Sequence, residues 1–318
     1  MSKVVASYAT GYMLTAIVES GDGDYWWTRR PGPARTTRMR TPDPAVLATV
    51  LKVPRGRVGL TVPARREGGG VTYRTRQARP IASAFLGLGE GADGFDLERD
   101  AADTLTATGL TLALLHAEPL PLVDLPAPEG PQRLLSWLRG GQGPGTAANL
   151  HRRAVDILGR ARMATAEAWC APLPQSRHVL LHGAPGHGIL LPATPGRDGS
   201  LLIGEDISAG APEFDVGWLV GELVEFRDAG RKLGHGPLRH VDYEALIGCL
   251  LDGYAAPLDL AEVGRVAAVR FLTHTHDFAA YMQWHEILVG YLNVLADVID
   301  AADSGQLLTS SSGKVSHR

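Results

Sequence analysis

The hydrophobic pattern of the sequence changes once, near residue 90, and this change limits the fold more than any other feature. Residues 3–19 and 24–30 are β-branched and aromatic stretches separated by Ser-Gly-Asp-Gly, which predicts a β-hairpin. Residues 57–62 and 70–77 have the same character around a Glu-Gly-Gly turn. Further along, apolar residues recur at helical spacing. The pattern predicts an α+β protein in which a small antiparallel β lobe precedes a larger, mainly helical lobe.

A glycine-rich segment predicts where the two lobes meet. We assign residues 1–86 to a β-rich N-lobe, 87–94 to a hinge and 95–318 to a mainly helical C-lobe. The hinge sequence GLGEGA also fits a dinucleotide-binding fingerprint, but no helix pattern opens directly on it, so a flexible connection is the better interpretation. Proline and glycine dominate residues 119–146, which predicts a long loop region.

Composition narrows the classes of function. The chain has 318 residues, of which 45% are hydrophobic and 20% charged, and a net charge of -3, so we expect a folded core and no nucleic-acid or membrane partner. Two arginine clusters, at 29–40 and 55–79, are local exceptions that could bind phosphate or an acidic peptide. The two cysteines lack CxxC spacing, and no signal peptide or membrane-spanning stretch is visible, which predicts a cytoplasmic protein.

Several segments together resemble a known family. Residues 180–191 read LLHGAPGHGILL and resemble the catalytic loop H-G-D-x-G-x-x-N of aminoglycoside phosphotransferases and related small-molecule kinases. Residues 203–206, IGED, stand where that family has its metal-binding segment, and 210–217, GAPEFDVG, resemble its G-D-P-x-x-D-L-A motif. Residues 110–121 and 27–31 match further family segments in the same order. The resemblance implies a two-lobed, protein-kinase-like fold.

The catalytic positions of that family are altered in this chain. Matched residue by residue, the catalytic Asp is Ala184, the metal-binding Asn is Ile189 and the metal-binding Asp is Gly204. None of these side chains can accept a proton or bind Mg²⁺, although phosphoryl transfer requires both abilities. The chain is therefore identified as a divergent member with degenerate catalytic motifs.

Acidic residues next to the altered metal position could replace the lost ligands. Glu205 and Asp206 lie one and two residues beyond Gly204, so a slipped turn could bring either oxygen ligand to Mg²⁺, with Asp206 also a candidate catalytic residue. The alternative is that they are turn or helix-capping carboxylates. His187, in the altered loop, is a candidate base or ligand, or else a turn histidine.

The resemblance also assigns roles outside the acidic segment. Arg29 falls where the family places a phosphate-contacting cation, with an exposed strand arginine as the alternative. The candidate helix at 44–52 contains no glutamate to pair with this cation. The family implies structural roles for His182 and for Asp215, which would brace the catalytic loop by hydrogen bonds.

A separate histidine pattern lies near the C-terminus. His274, Asp277 and His285 would fall near one face of a helix, where they could bind a metal ion. Packed or surface histidines are the alternative.

Two functions remain open. The first is ATP- and Mg²⁺-dependent phosphoryl transfer to a hydroxyl of a natural product or of a peptide Ser or Thr, with a rebuilt metal site. The second is a catalytically dead pseudokinase, which could use no cofactor and would bind a peptide, a nucleotide or a partner enzyme in a biosynthetic pathway. A kinase must bind Mg²⁺·ATP in the interlobe cleft, whereas a scaffold can keep that cleft closed or filled by apolar side chains.

Overall fold

A computed structural model describes residues 3–88, 96–171, 178–234 and 240–309. Five N-terminal strands form one antiparallel sheet in the order β1-β2-β3-β6-β5. Their bounds are β1 (Lys3–Ala9), β2 (Met13–Glu19), β3 (Tyr25–Pro31), β5 (Arg65–Glu67) and β6 (Gly70–Thr75). The predicted turn at residues 20–23 joins β2 to β3, but the stretch 3–19 is two strands, because a further turn falls at residues 10–12.

Helices dominate the rest of the described chain, as the change of periodicity predicts. The long ones are α3 (Leu97–Ala117), α4 (Glu129–Gly140), α5 (Ala147–Trp169), α6 (Glu213–Leu233), α7 (Tyr243–Tyr254), α8 (Leu260–Tyr281) and α9 (Ile287–Asp303). They enclose a large apolar core that includes Leu112, Leu219 and Phe271, all fully buried. The α+β, two-lobed fold class is thus confirmed. Within the described residues, no helix is both long enough and apolar enough to span a membrane.

Short elements tie the two lobes together. The chain leaves the N-terminal sheet after β3, forms α1 (Pro44–Val50), and enters β4 (Val58–Thr61), which pairs in parallel with β9 (Gly199–Leu202). β9 also pairs with β8 (Leu190–Leu191), next to the altered loop. The sequence predicts β4 as a strand of the N-lobe, but it joins this sheet because Val58 and Leu60 bury their side chains in the main core.

Alternation along β3 separates two neighbouring tryptophans. Trp27 lies opposite Ile17 on one side and Tyr73 on the other, and this row faces the C-lobe, where all three side chains are buried. Trp26 lies on the outer face of the sheet, where Arg65 and Arg74 lie 4.7 and 5.8 Å from its ring. Successive strand residues point to opposite faces, so one tryptophan reaches the interlobe space and the other lies at the surface.

The lobe boundaries stay a prediction. The N-terminal sheet ends at Thr75, and the short helix α2 (Ile81–Phe85) follows. Of the predicted hinge 87–94, only residues 87 and 88 lie within the described chain, and the polar tail from 310 lies outside it.

Candidate functional site in the interlobe cleft

A buried carboxylate holds the start of the altered loop, just after β7 (Val179–Leu181). Asp215, near the start of α6, accepts hydrogen bonds from the backbone N–H groups of His182 (2.6 Å) and Gly183 (2.9 Å). His116, at the end of α3, contacts the same carboxylate through Nε2 at 3.0 Å, and Tyr254 contacts its Nδ1 at 2.9 Å. Asp215 therefore has the geometry of a brace, the role that the family resemblance gives it.

The buried ring of His182 connects the altered loop to β9 by hydrogen bonds. Its Nε2 lies 2.8 Å from the Leu202 carbonyl oxygen and donates to it, while Nδ1 accepts from the N–H of Ala184 at 3.4 Å. Burial lowers the pKa of His182, although the Asp215 charge opposes this shift, so the ring is neutral and both nitrogens have a defined role. This geometry suits the structural role expected for His182.

Ala184, Ile189 and Gly204, at the positions where the family has catalytic and metal-binding residues, have no side-chain oxygen that could bind a metal ion. Ala184 and Ile189 line the cleft with apolar side chains, and Gly204 has no side chain. Gly204 adopts a φ of +143°, and a Cβ there would lie 2.8 Å from Cδ of Pro63. An aspartate at this position would strain the backbone and collide with Pro63.

Substituting Gly204→Asp tests this limit. We expect a loss of roughly 1–3 kcal/mol in the free energy of unfolding, because the side chain must occupy a strained backbone conformation, and no gain of magnesium affinity. Urea unfolding and titration with Mg²⁺ measure the two effects. Gly21→Asp is the matched control, since a Cβ at Gly21 meets no heavy atom within 4 Å. A Gly204→Asp variant that kept its stability and bound Mg²⁺ would mean that the loop can rebuild the site.

Glu205 forms an ion pair with Arg29, the cation on β3. Its Oε1 lies 2.6 Å from Nη1 of Arg29 and accepts a hydrogen bond from the hydroxyl of Tyr73 at 3.2 Å. Glu205 is 3% exposed and Arg29 14% exposed. Burial raises the pKa of Glu205 and would lower that of Arg29, but Glu205, Tyr73 and Asp206 together outweigh burial at Arg29 and raise its pKa. The candidate helix at 44–52 has no glutamate to pair with Arg29. Glu205, more than 170 residues after Arg29 in the sequence, pairs with it in its place.

Asp206 faces a different space from Glu205. Asp206 lines a cleft of about 240 Å³ together with Ala184 and Ile189, whereas Glu205 lines a neighbouring cavity with Gly204. Within the described chain, no three His, Cys, Asp or Glu side chains are grouped to hold a metal ion. Glu205 and Asp206 therefore line different spaces, and their role as Mg²⁺ ligands stays a prediction.

His187 lies behind the loop and does not line the cleft. Its side chain is fully buried, with the ring centroid 5.7 Å from that of Phe85 and 6.2 Å from that of Phe226. Both its backbone N–H and its Nδ1 contact Oε2 of Glu222, at 2.7 and 2.6 Å. A base or a metal ligand needs an accessible ring nitrogen, so the predicted catalytic role of His187 does not fit this geometry.

Glu222 gives the fold a dependence on pH. It also forms an ion pair with Arg270, and although burial would raise its pKa, Arg270 and His187 outweigh burial and hold the pKa well below its usual range. Ionised Glu222 therefore stabilises the fold above the ordinary glutamate pKa, and this contribution is lost as the pH falls towards the lowered value.

The variant Glu222→Gln should consequently show a shallower loss of stability on acidification than the native protein. Melting temperatures between about pH 6 and pH 3 measure the two slopes. Glu98→Gln, at an exposed position of α3, should keep the native slope. Equal slopes for native protein and Glu222→Gln would contradict a lowered pKa at Glu222.

Tyr12, in the β1–β2 turn, lines the cleft and connects this turn to α4. The Tyr12 hydroxyl donates to Glu129 Oε1 at 3.0 Å and accepts from Arg133 at 3.1 Å, and both partners lie on α4. The guanidinium carbons of Arg35 and Arg133 lie 4.5 and 4.4 Å from the centre of the Tyr12 ring. The N–H of Gly11 donates to the carbonyl oxygen of Tyr281, at the end of α8. The turn is thereby fixed to the C-lobe.

The proposed helical metal site of His274, Asp277 and His285 does not form. His274 bonds to Glu225 at 2.6 Å, and Asp277 accepts two hydrogen bonds from Arg133, at 2.6 and 3.1 Å. His285 lies beyond the end of α8, where its Nδ1 accepts the N–H of Ile287. Each group has its own partner, so the three do not share a ligand.

Apolar side chains fill the interlobe space next to Arg29. Ile17, Trp27 and Tyr73 of the N-terminal sheet belong to one buried cluster with Leu191 and Leu202 of the C-lobe strands. Trp27 is 1% exposed, and its indole N–H donates to the carbonyl oxygen of residue 77 at 2.9 Å, just after β6. The lobes are therefore packed against each other directly beside the cleft that Arg29 and Asp206 line.

Sequence reasoning missed Tyr12, which lines the cleft, and the residues that pack between the lobes beside it. The alternation of β3 carries a signal for Trp27, because Ile17 and Tyr73 lie at matching positions of β2 and β6. No sequence signal connects Tyr12 with Arg133, since 121 residues separate them.

Comparison with solved structures gives the same fold. A choline/ethanolamine kinase family protein from Mesorhizobium loti aligns with 98% of this chain and 92% of its own, at 14% identity and a TM-score of 0.51. Choline kinase LicA from Streptococcus pneumoniae aligns with 95% of this chain and 94% of its own, at 9% identity and a TM-score of 0.53. Amicoumacin kinase hAmiN, in complex with AMP-PNP, Ca²⁺ and Ami, aligns with 95% and 88%, at 12% identity and a TM-score of 0.53.

The chain thus has the kinase-like phosphotransferase fold that these proteins share, and the low identities make it a divergent example. The family resemblance inferred from the loop motifs is confirmed at the level of the fold. No protein-family model matches the sequence, and no curated protein is significantly similar to it in sequence.

Proposed function

We propose that this protein is a pseudokinase that acts by binding a peptide or partner protein and does not transfer phosphate. The observation that carries the proposal is the packed interlobe space, where Trp27 and its neighbours meet Leu191 and Leu202. This is the arrangement expected of a scaffold and not of a kinase, whose cleft must admit Mg²⁺·ATP. The part of the cleft that Asp206 lines has about 240 Å³, less than the roughly 300–1,000 Å³ that ligand pockets usually have. The neighbouring cavity has about 580 Å³, and the carboxylate that lines it, Glu205, is paired with Arg29.

The chemistry of the cleft supports the same function. Phosphoryl transfer depends on a residue that positions the nucleophile, on ligands for Mg²⁺ and on a cation beside the phosphates. Ala184, Ile189 and Gly204 remove the first two, and Arg29 is engaged by Glu205. Moving Arg29 onto a phosphate would leave Glu205 buried without its partner, and separating a buried ion pair costs roughly 3–5 kcal/mol. The residues present therefore do not suit ATP and Mg²⁺.

An ATP-dependent phosphotransferase acting on a natural product or a peptide hydroxyl is the second candidate. Asp206 is the observation that favours it, because this half-buried carboxylate lines the cleft beside the altered loop. Amicoumacin kinase hAmiN, which has a similar fold, is in complex with AMP-PNP and Ca²⁺. In this chain Asp206 would have to act without the other acidic ligands.

Thermal unfolding in the presence of nucleotide tests the proposal. A ligand that binds the folded state at one hundred times its Kd adds about 2.7 kcal/mol to stability and raises the melting temperature. We expect no rise with millimolar ATP or ADP, with or without Mg²⁺. A magnesium-dependent rise in the native protein that is lost in Asp206→Ala would favour the phosphotransferase.

A further inference from the structure

The first strand of the N-terminal sheet is an edge with little protection. Among the described residues, β1 pairs with β2 alone, so one side of its backbone has no strand partner. Val4, Val5 and Tyr8 are 62, 38 and 40% exposed. Exposed, apolar edge strands are templates for a further strand, and proteins usually guard them with proline, charges or bulges. β1 contains no proline. The features that could hinder pairing with another strand are the charge of Lys3 and the irregular register between Val4 and Ala6.

A cavity lies directly beside this edge. It has a volume of about 380 Å³, and its walls combine apolar and aromatic side chains with one arginine. The lining residues are Val5, Ala6, Tyr8, Tyr25, Ala78, Arg79 and Leu88. Side chains of a strand alternate between the two faces of a sheet. A strand added to β1 would therefore place every second side chain towards this cavity and the others over the outer face, beside Val4.

The charge of the N-lobe indicates which kind of strand fits. Residues 3–88 contain fourteen Lys and Arg against five Asp and Glu, an excess of nine positive charges, although the whole chain carries -3. Three of the arginines pair with carboxylates of the C-lobe, in Arg29–Glu205, Arg35–Glu129 and Arg57–Asp198, which leaves an excess of six. A field of this sign attracts acidic segments and repels basic ones. It also opposes pairing of β1 with β1 of a second copy, because both edges carry the same excess of positive charge.

We propose that β1 binds an extended, acidic peptide segment with alternating apolar residues, which adds to the sheet as a sixth strand. Backbone hydrogen bonds along Lys3–Ala9 supply affinity, and the cavity beside the edge selects the apolar side chains. This inference deepens the proposed function and rests on it for the premise that the protein acts by binding. The surface lies apart from the lining of the cleft with Asp206, so the two can be tested separately.

A labelled model peptide provides the test. The probe is a fluorescein-labelled, acetylated ten-residue peptide of alternating Glu and Val, used at concentrations at which the free peptide is monomeric. Fluorescence anisotropy at low salt measures its affinity, and hydrogen exchange with mass spectrometry measures protection of the amides of β1. We expect saturable binding, weakening as salt rises, and slower exchange in β1. The same peptide with Lys in place of Glu, or with alternate N-methylated amides, should not bind measurably.

Two protein variants test whether the peptide binds at β1. Val4→Asp should weaken binding of the acidic peptide by about tenfold or more, which corresponds to about 1.4 kcal/mol. Leu51→Asp is the matched control, because Leu51 is 64% exposed, lies on the same lobe after α1 and adds the same charge, and it should leave affinity within about twofold. The inference is overturned if the acidic peptide does not bind at about 1 mM, if the Lys or N-methylated peptide binds as well, or if Leu51→Asp weakens binding as much as Val4→Asp. Because no nucleotide is present, failure here leaves the result of nucleotide titration unaffected.

Discussion

Replacing Trp27 with alanine is expected to lower the free energy of unfolding by about 3–5 kcal/mol. The indole is 1% exposed and lies between Ile17 and Tyr73 in the row that faces the C-lobe, so its removal leaves a cavity between the lobes. The carbonyl oxygen of Gln77 loses the indole N–H but keeps the hydroxyl of Thr75 as a donor, at 2.8 Å. Most of the expected loss therefore comes from apolar packing. Urea unfolding of the two proteins measures the difference.

The adjacent tryptophan is the control. Trp26 is half-buried on the outer face, where it contacts Arg65 and Arg74, and Trp26→Ala should cost about 1 kcal/mol. Equal losses for the two variants would show that Trp27 does not join the lobes, and the proposal of a filled interlobe space would lose its main support. Trp27→Ala should also be titrated with ATP, because affinity gained only in this variant would identify the indole as the obstacle to nucleotide.

Replacing Asp215 with alanine is expected to cost a similar amount, about 3–5 kcal/mol, for an electrostatic reason. The carboxylate is fully buried and accepts hydrogen bonds from the N–H groups of His182 and Gly183 and from His116. Without it, all three donors remain buried with no acceptor. Urea unfolding measures the loss, and if the alanine variant fails to fold, Asp215→Asn provides an intermediate case because its amide oxygen can still accept one of these bonds.

The control for this substitution is Asp156→Ala, at an exposed position of α5, which should change stability by less than about 0.5 kcal/mol. An Asp215→Ala variant as stable as native protein would contradict the assignment of Asp215 as the brace of the altered loop.

Local patterns in the sequence were enough to predict the two lobes and to locate the altered loop. Alternating apolar residues at 3–19 and 24–30 define strands because strand side chains alternate at a fixed period of two. The segments at 180–191 and 210–217 locate the loop and its brace because backbone contacts such as those of Asp215 need particular residues at fixed spacing. These features depend on neighbours in sequence.

Long-range partners could not be obtained in this way. The ion pair between Arg29 and Glu205 forms because β3 and the segment after β9 meet across the lobes, and no local pattern specifies that meeting. His187 has the residue type of a base, but its role depends on Glu222 and Phe85, which bury it. Local sequence also does not show that the adjacent residues Glu205 and Asp206 line different cavities.

Calorimetric titration of the native protein with ATP and with AMP-PNP, each with and without Mg²⁺, tests the central claim most directly. Asp206→Ala is titrated in parallel, because Asp206 is the carboxylate that would have to support magnesium-dependent binding in the cleft. The expected result is no heat of binding for either protein under any of these conditions. Magnesium-dependent binding to the native protein that disappears in Asp206→Ala would contradict the account of a cleft that does not admit nucleotide, support a rebuilt metal site and favour the phosphotransferase.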